Sequence, residues 1–163
     1  MNITITPFDP KDVTAVAAVW NRVVTDGVAF PQKNRLTDAE AVAFFTEQDY
    51  TGVAKDCDTG EVVGMYILHP NNIGRCGHIC NASYAVKYDR RGMGIGRALV
   101  THCMQTGKRL GYRILQFNAV VATNTSALTL YKSLGFVQLG TIPGGFLMDN
   151  GHFEDIVPHY IEL

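Results

Sequence analysis

The chain has 163 residues, 47% of them apolar and 18% charged, with a formal net charge of −1. That length supports a single domain over residues 1–163 with one full core, and the near-neutral balance offers no general attraction to nucleic acid or to an anionic membrane. No apolar run approaches the roughly 18 residues of a membrane span, and Met1-Asn2-Ile3-Thr4-Ile5 has no basic region or cleavage signal and reads as a first strand, so a cytoplasmic location is expected.

Ile3 and Ile5 alternate with Asn2, Thr4 and Thr6, the period of a half-buried strand; Pro7 and Pro10 then break the chain. From Asp12 to Thr25, Val13, Val16, Ala17, Trp20 and Val24 recur at helical spacing. Gly27 to Asn34 is a loop. Thr37, with Glu40 three residues on, forms a capping box and opens a helix carrying Ala41, Phe44 and Phe45. Thr51–Lys55 and Val62–Leu68 are strands joined by a turn at Asp58-Thr59-Gly60. Pro70 to Gly77 is a loop, and Ile79–Val86 is the next strand. A helix from about Gly94 to Leu110 has Ile95, Leu99 and Cys103 on one face. Arg113 to Val121 is nearly continuous in apolar residues, as in a central strand. Thr123-Asn124-Thr125 precedes a helix whose Ala127, Leu130, Tyr131 and Leu134 lie near one face, with Gly135 placed to cap it. Phe136–Ile142 and Ile156–Leu163 close the chain as strands, and Pro158 requires a bulge or a strand end. The order is mixed α/β: strand, two helices, three strands, helix, strand, helix, two strands.

Cys76-Gly77-His78-Ile79-Cys80 has a spacing seen in metal sites. Such sites usually take four ligands in paired short spacings; no second pair follows, and Cys80 belongs to a strand pattern. No metal is expected.

The run Arg91-Gly92-Met93-Gly94-Ile95-Gly96-Arg97 carries the most chemistry. Glycine allows positive φ and close backbone approach to a ligand, and successive N–H groups at a helix start form an anion cradle. A dinucleotide fold needs G-x-G-x-x-G after the first strand and an acidic residue about 20 positions on. Here the spacing is G-x-G-x-G, past mid-chain, and Arg113-Ile114-Leu115-Gln116 holds no carboxylate. No Gly-Lys-Ser/Thr follows to make a P-loop.

Arg91-x-x-Gly94-x-Gly96 resembles the pyrophosphate loop of the GNAT acyl-CoA N-acetyltransferase superfamily. Asn124-x-x-Ala127-x-x-Leu130-Tyr131-x-x-Leu134-Gly135-Phe136 resembles its second hallmark. The resemblance implies a mostly antiparallel sheet of about seven strands, splayed into a V between the fourth and fifth and flanked by about four helices. It also implies acetyl-CoA as donor and an amine as acceptor. Main-chain amides from Gly92 through Met93, Gly94, Ile95 and Gly96 to Arg97 would hold the pyrophosphate, with Arg91 either beside it or in a surface ion pair. Backbone groups near Tyr84 and Val86 would bind the pantetheine arm, and Asn124 would touch that arm or cap its helix. Tyr131 would protonate the departing sulfur, since a phenol near pKa 10 keeps its proton at neutral pH. His78, Glu47 and a water chain all stay open as the general base.

Asn81 and Asn118 each sit inside an apolar strand pattern, where asparagine is depleted and a buried amide needs partners. If both reach the mouth of the V, they could orient a small molecule bearing an amine and a carboxylate. His69-Pro70-Asn71, His78-Ile79-Cys80-Asn81-Ala82, Phe117-Asn118 and Thr123-Asn124 resemble the fungal proline-analogue acetyltransferases, which act on L-azetidine-2-carboxylate and related imino acids. By that likeness Asn81 and Asn118 bind substrate and Asn124 lies near the CoA sulfur. Phosphinothricin-type acetyltransferases, peptide acetylation and a silent acyl-CoA-binding module are the competing readings. Phe146-Leu147-Met148 is an apolar stretch suited to a homodimer interface.

Overall fold

A computed structural model describes residues 2–163; Met1, expected in the first strand, lies outside the described residues. Thirteen elements follow along the chain: β1 (Ile3–Pro7), α1 (Val13–Asp26), α2 (Asp38–Thr46), β2 (Tyr50–Asp56), β3 (Val62–Pro70), β4 (Ile79–Val86), α3 (Ile95–Arg109), β5 (Ile114–Phe117), α4 (Thr125–Ser133), β6 (Val137–Gln138), β7 (Ile142–Leu147), β8 (Phe153–Ile156) and β9 (His159–Glu162). Seven strands form one sheet in the order β1-β2-β3-β4-β5-β9-β6, and β7 and β8 form a separate hairpin. Every neighbouring pair in the large sheet is antiparallel except β4 and β5.

Strand alternation divides the core between the two faces of the sheet. Tyr66, Leu68, Cys80, Ala82 and Leu115 pack with Ile95, Leu99 and Cys103 of α3. Met65, Ile67 and Ala85 pack on the opposite face with Val16, Trp20 and Val24 of α1 and with Phe45 of α2. The capping box forms as its spacing requires: Thr37 accepts from the Glu40 N–H, and Glu40 accepts from the Thr37 N–H at 2.8 Å. Gly135, at φ 89°, ends α4, with the Phe136 N–H reaching back to the Tyr131 carbonyl at 3.0 Å.

The end of the chain departs from expectation. The strand expected over 113–121 stops at Phe117, because Val121 turns to bridge Ile156 and the Val157 N–H bonds the Val120 carbonyl at 2.8 Å. The strand expected over 136–142 is only β6, and residues 142–147 join β8 in the hairpin. Pro158 does end a strand, falling between β8 and β9. Phe146 is buried against Val121 and Ile156, so of the expected apolar interface stretch only Leu147 is well exposed. No described helix is long and apolar enough to cross a membrane.

Candidate active site

The cleft arises from the one parallel pairing. β4 and β5 are in register only at Ile79–Ile114 and Cys80–Leu115. Beyond that point β4 runs on to Val86 paired with β3 alone, while β5 keeps only β9, its partner along its whole length. Aromatic bulk stands where the strands part: Phe117 meets Tyr84 edge-on at 5.7 Å and lies 4.6 Å from Tyr131 and 4.9 Å from Phe136.

Register also fixes which way the β4 backbone faces. The Asn71 N–H bonds the Ile79 carbonyl and the Lys87 N–H bonds the Val63 carbonyl, so odd-numbered β4 residues spend their main-chain groups on β3. Alternation then turns those of Ala82, Tyr84 and Val86 toward the gap. The two residues expected to offer backbone groups to a pantetheine arm are thus on the open side of the strand.

The glycine run lies at the far end of this strand. Gly94 is the N-cap of α3 at φ 83°, and Gly92 has φ 79°. Among the described residues, no main-chain N–H from Gly92 to Arg97 donates to another atom of the chain; the first bond of the α3 turn is Ala98 N–H to the Gly94 carbonyl at 3.2 Å. A Cβ built on Gly92 or Gly94 meets nothing within 4 Å, and one on Gly96 would lie 3.6 Å from Leu130 and 3.9 Å from Val86. Open space, unpartnered donors and the positive end of α3 suit an anion with several oxygens. Arg91 instead pairs with Asp26 at 3.4 Å and lies over the Tyr88 ring, while Arg97 donates to Ser133 at 2.7 Å. Met93 is half exposed beside them.

A cavity of about 220 Å³ occupies the gap, lined on its two walls by Asn81–Tyr84 and by residues 117–121 and closed by Asn124, Ala127, Tyr131 and the Ala29–Pro31 loop. None of these lining side chains is charged. The Tyr131 hydroxyl makes no hydrogen bond to the chain among the described residues, and burial pushes its phenol well above the usual range. The Tyr84 hydroxyl is buried facing the Cys103 thiol without reaching hydrogen-bond geometry, and burial holds it too in its protonated form. Asn124 caps α4, its Oδ1 accepting from the Ala127 N–H at 3.2 Å, and still lines the cavity.

Asn81 and Asn118 both line the cavity, but not as a bonded pair of buried amides. Asn118 lies one residue past β5 and is exposed; its amide bonds Asn71 and Gln116. His78 and Glu47 are exposed and lie outside the cavity lining. Sequence reasoning missed His159, which is buried behind Tyr131 with ring centroids 6.0 Å apart, its Nδ1–H donating to the Val157 carbonyl at 2.7 Å. Only its register opposite Phe117 brings it there, and the sequence carries no local sign of that pairing. Cys76 and Cys80 are divided between surface and core, and no group of three or more His, Cys, Asp or Glu suited to a metal occurs among the described residues.

A second cavity, of about 410 Å³, lies beyond Phe30 and Pro31, which line both. Lys33, Arg35, Asp149 and part of β7 form its wall.

The acetyltransferase (GNAT) family model matches residues 20–136. The N-acetyltransferase aca1 of Schizosaccharomyces pombe is 31% identical over 86% of this chain and 74% of its own length. A GCN5-related N-acetyltransferase from Kribbella flavida is 32% identical and superposes with a TM-score of 0.90 over 99% of this chain and 98% of its own. A phosphinothricin acetyltransferase from Sinorhizobium meliloti, solved with acetyl-CoA, has a TM-score of 0.90 at 21% identity, over 100% of this chain and 89% of its own.

Proposed function

The chain belongs to the acetyltransferase (GNAT) family and is an acetyl-CoA-dependent N-acetyltransferase, and we propose that its acceptor is a small amino-acid-like amine bound between Asn81 and Asn118. One observation carries this reading: a single uncharged cavity of about 220 Å³ gathers Asn81, Asn118, Asn124 and Tyr131. That volume is below the roughly 300–1,000 Å³ of pockets that take drug-sized ligands. An uncharged lining also offers no counter-charge to a basic peptide.

In this reading the amides from Gly92 to Arg97 hold the diphosphate of acetyl-CoA, and the open groups of Tyr84 and Val86 hold its pantetheine arm. A main-chain N–H on the β4 side polarises the thioester carbonyl, a contribution of about 3 kcal/mol for one well-placed donor. The amine attacks as its neutral form, so a C–N bond forms and the C–S bond breaks. The Tyr131 O–H gives its proton to the departing sulfur. The amine's surplus proton goes to solvent, no other lining side chain being a base at neutral pH, and Tyr131 regains its own proton from solvent.

The second cavity supports one other acceptor, a longer amino acid with an anionic tail reaching Lys33 and Arg35, as in phosphinothricin. Thiol release from acetyl-CoA, measured with L-azetidine-2-carboxylate, L-phosphinothricin, polyamines and short peptides, separates the readings. The highest kcat/KM is expected for one of the two amino acids. Transfer confined to peptides would overturn the small-acceptor reading.

A further inference from the structure

We propose that Asn71, just past the end of β3, is a positioning residue for the acceptor that acts by holding the Asn118 amide in place. The proposal rests on the reading of Asn118 as an acceptor ligand.

Register brings polar side chains of three strands onto one sheet face. His69 opposes Asn81 across β3 and β4. Continuing the β4–β5 register by one step past Cys80–Leu115 sets Asn81 level with Gln116. Cys80 and Leu115 point into the α3 side of the core, so alternation turns residues 69, 71, 81 and 116 to the other face. That face is otherwise built of Met65, Ile67 and Ala85.

Three amides there are joined: Gln116 Nε2 donates to Asn118 Oδ1 at 3.0 Å, and Asn118 Nδ2 donates to Asn71 Oδ1 at 2.6 Å. This relay spans β4, from a residue beside β5 to one beside β3. Its two ends are unequal. Asn71 is anchored by its own N–H, bonded to the Ile79 carbonyl at 2.8 Å. Asn118 sits where the β5–β9 ladder has ended at Phe117, and no main-chain bond holds it among the described residues. Its orientation at the cavity is therefore set by the side-chain relay. An amide has two N–H groups and two lone pairs, so Asn118 keeps one of each for the ligand whichever way the relay runs, their positions exchanging if it is reversed. Those are the groups a compact amino acid needs, one for a carboxylate oxygen and one for the amine.

The test is steady-state kinetics with L-azetidine-2-carboxylate and L-phosphinothricin as acceptors. Asn71→Ala and the near-isosteric Asn71→Leu are each expected to raise the acceptor KM about ten-fold, the scale of one lost neutral hydrogen bond. kcat, the acetyl-CoA KM and the melting temperature are expected to stay unchanged. Combined with Asn118→Ala, neither should add to the effect of Asn118→Ala alone. An unchanged acceptor KM in both Asn71 variants, with Asn118→Ala still raising it, overturns the inference and leaves the acceptor reading standing; so does full additivity. A fall in melting temperature together with kcat would make the relay a structural clamp and equally overturn it. An Asn118→Ala variant with unaltered acceptor KM, or no turnover of either amino acid, would remove the acceptor reading itself.

Discussion

Tyr131 is a proton donor only if its O–H survives at working pH, and its surroundings secure that. Phe117, Phe136 and buried His159 enclose the ring, and loss of solvent is the largest cause of its raised pKa. Raising a phenol's pKa extends the acid form to higher pH, so no falling limb below pH 10 in the kcat profile should belong to Tyr131. Tyr131→Phe should lower kcat about 100-fold, the lower range for general acid catalysis, and leave acetyl-CoA affinity by calorimetry unchanged. An unaltered kcat would move the donor elsewhere. On α3, beside Tyr66, the pKa of His102 moves in the opposite sense. Burial first, then the Arg109 cation, hold its pKa below the usual range, and its Nδ1 shares a hydrogen bond of 2.8 Å with the Tyr66 hydroxyl. The unfolded chain takes up this proton from about pH 6.5 downward while the folded chain resists it. Stability from this group is complete above that pH and declines on acidification until the folded pKa is passed. Thermal melts from pH 7 to 5 should therefore fall more steeply for the wild type than for His102→Gln; identical slopes would show that the site does not couple.

Two glycines of the turn into α3 are distinguishable as elements of structure and of binding. Gly94, at φ 83°, is required by the turn itself. Gly96 is the second residue of α3, has no positive φ, and would give a Cβ ordinary contacts with Leu130 and Val86. Alanine is the better helix former by at most about 1 kcal/mol, so folding alone would favour Gly96→Ala. We expect that variant to melt at or above the wild-type temperature yet bind acetyl-CoA at least ten-fold more weakly, because a methyl group intrudes where the diphosphate approaches the amides. Unchanged affinity in calorimetry would reduce the turn to a structural role. Local chemistry of this kind was legible in the chain: the Thr37–Glu40 box, the Gly135 cap, the apolar stripe of α3 and the glycine turn are all contained within a few residues. What escaped was set by distant partners. Residues 118–121 have the composition of a strand, yet Val121 is claimed by Ile156, and that diversion both exposes Asn118 and opens the cleft. Residues 142–147 found a partner in β8 rather than in the large sheet, which buried Phe146. Asn71 and His159 meet the site only through strand register, 47 positions from Asn118 in the first case.

For the whole molecule, the V is a sheet left unfinished on one side of β4, and an acyl-CoA arm lying in it would act as the missing strand. Ligand present at 100 times its Kd stabilises the folded state by about 2.7 kcal/mol. For a chain of this size each kcal/mol raises the melting temperature by roughly 2–4 °C, so a shift of about 5–10 °C is expected with saturating acetyl-CoA. The location of the protection is more telling than its size. Ser83 and Ala85 already donate to β3 in the free protein, whereas Tyr84 and Val86 face the gap. Amide exchange resolved by residue should therefore show protection on binding at Tyr84, at Val86 and along Gly92 to Arg97, with little change at Ser83 and Ala85. That two-residue period is a signature that general rigidification would not produce. The β7–β8 hairpin, in its own sheet, serves as the internal reference and should exchange at the same rate with and without ligand. Protection centred instead on Lys33, Arg35 and Gly145–Leu147 would place the coenzyme in the second cavity and overturn the assignment of the V.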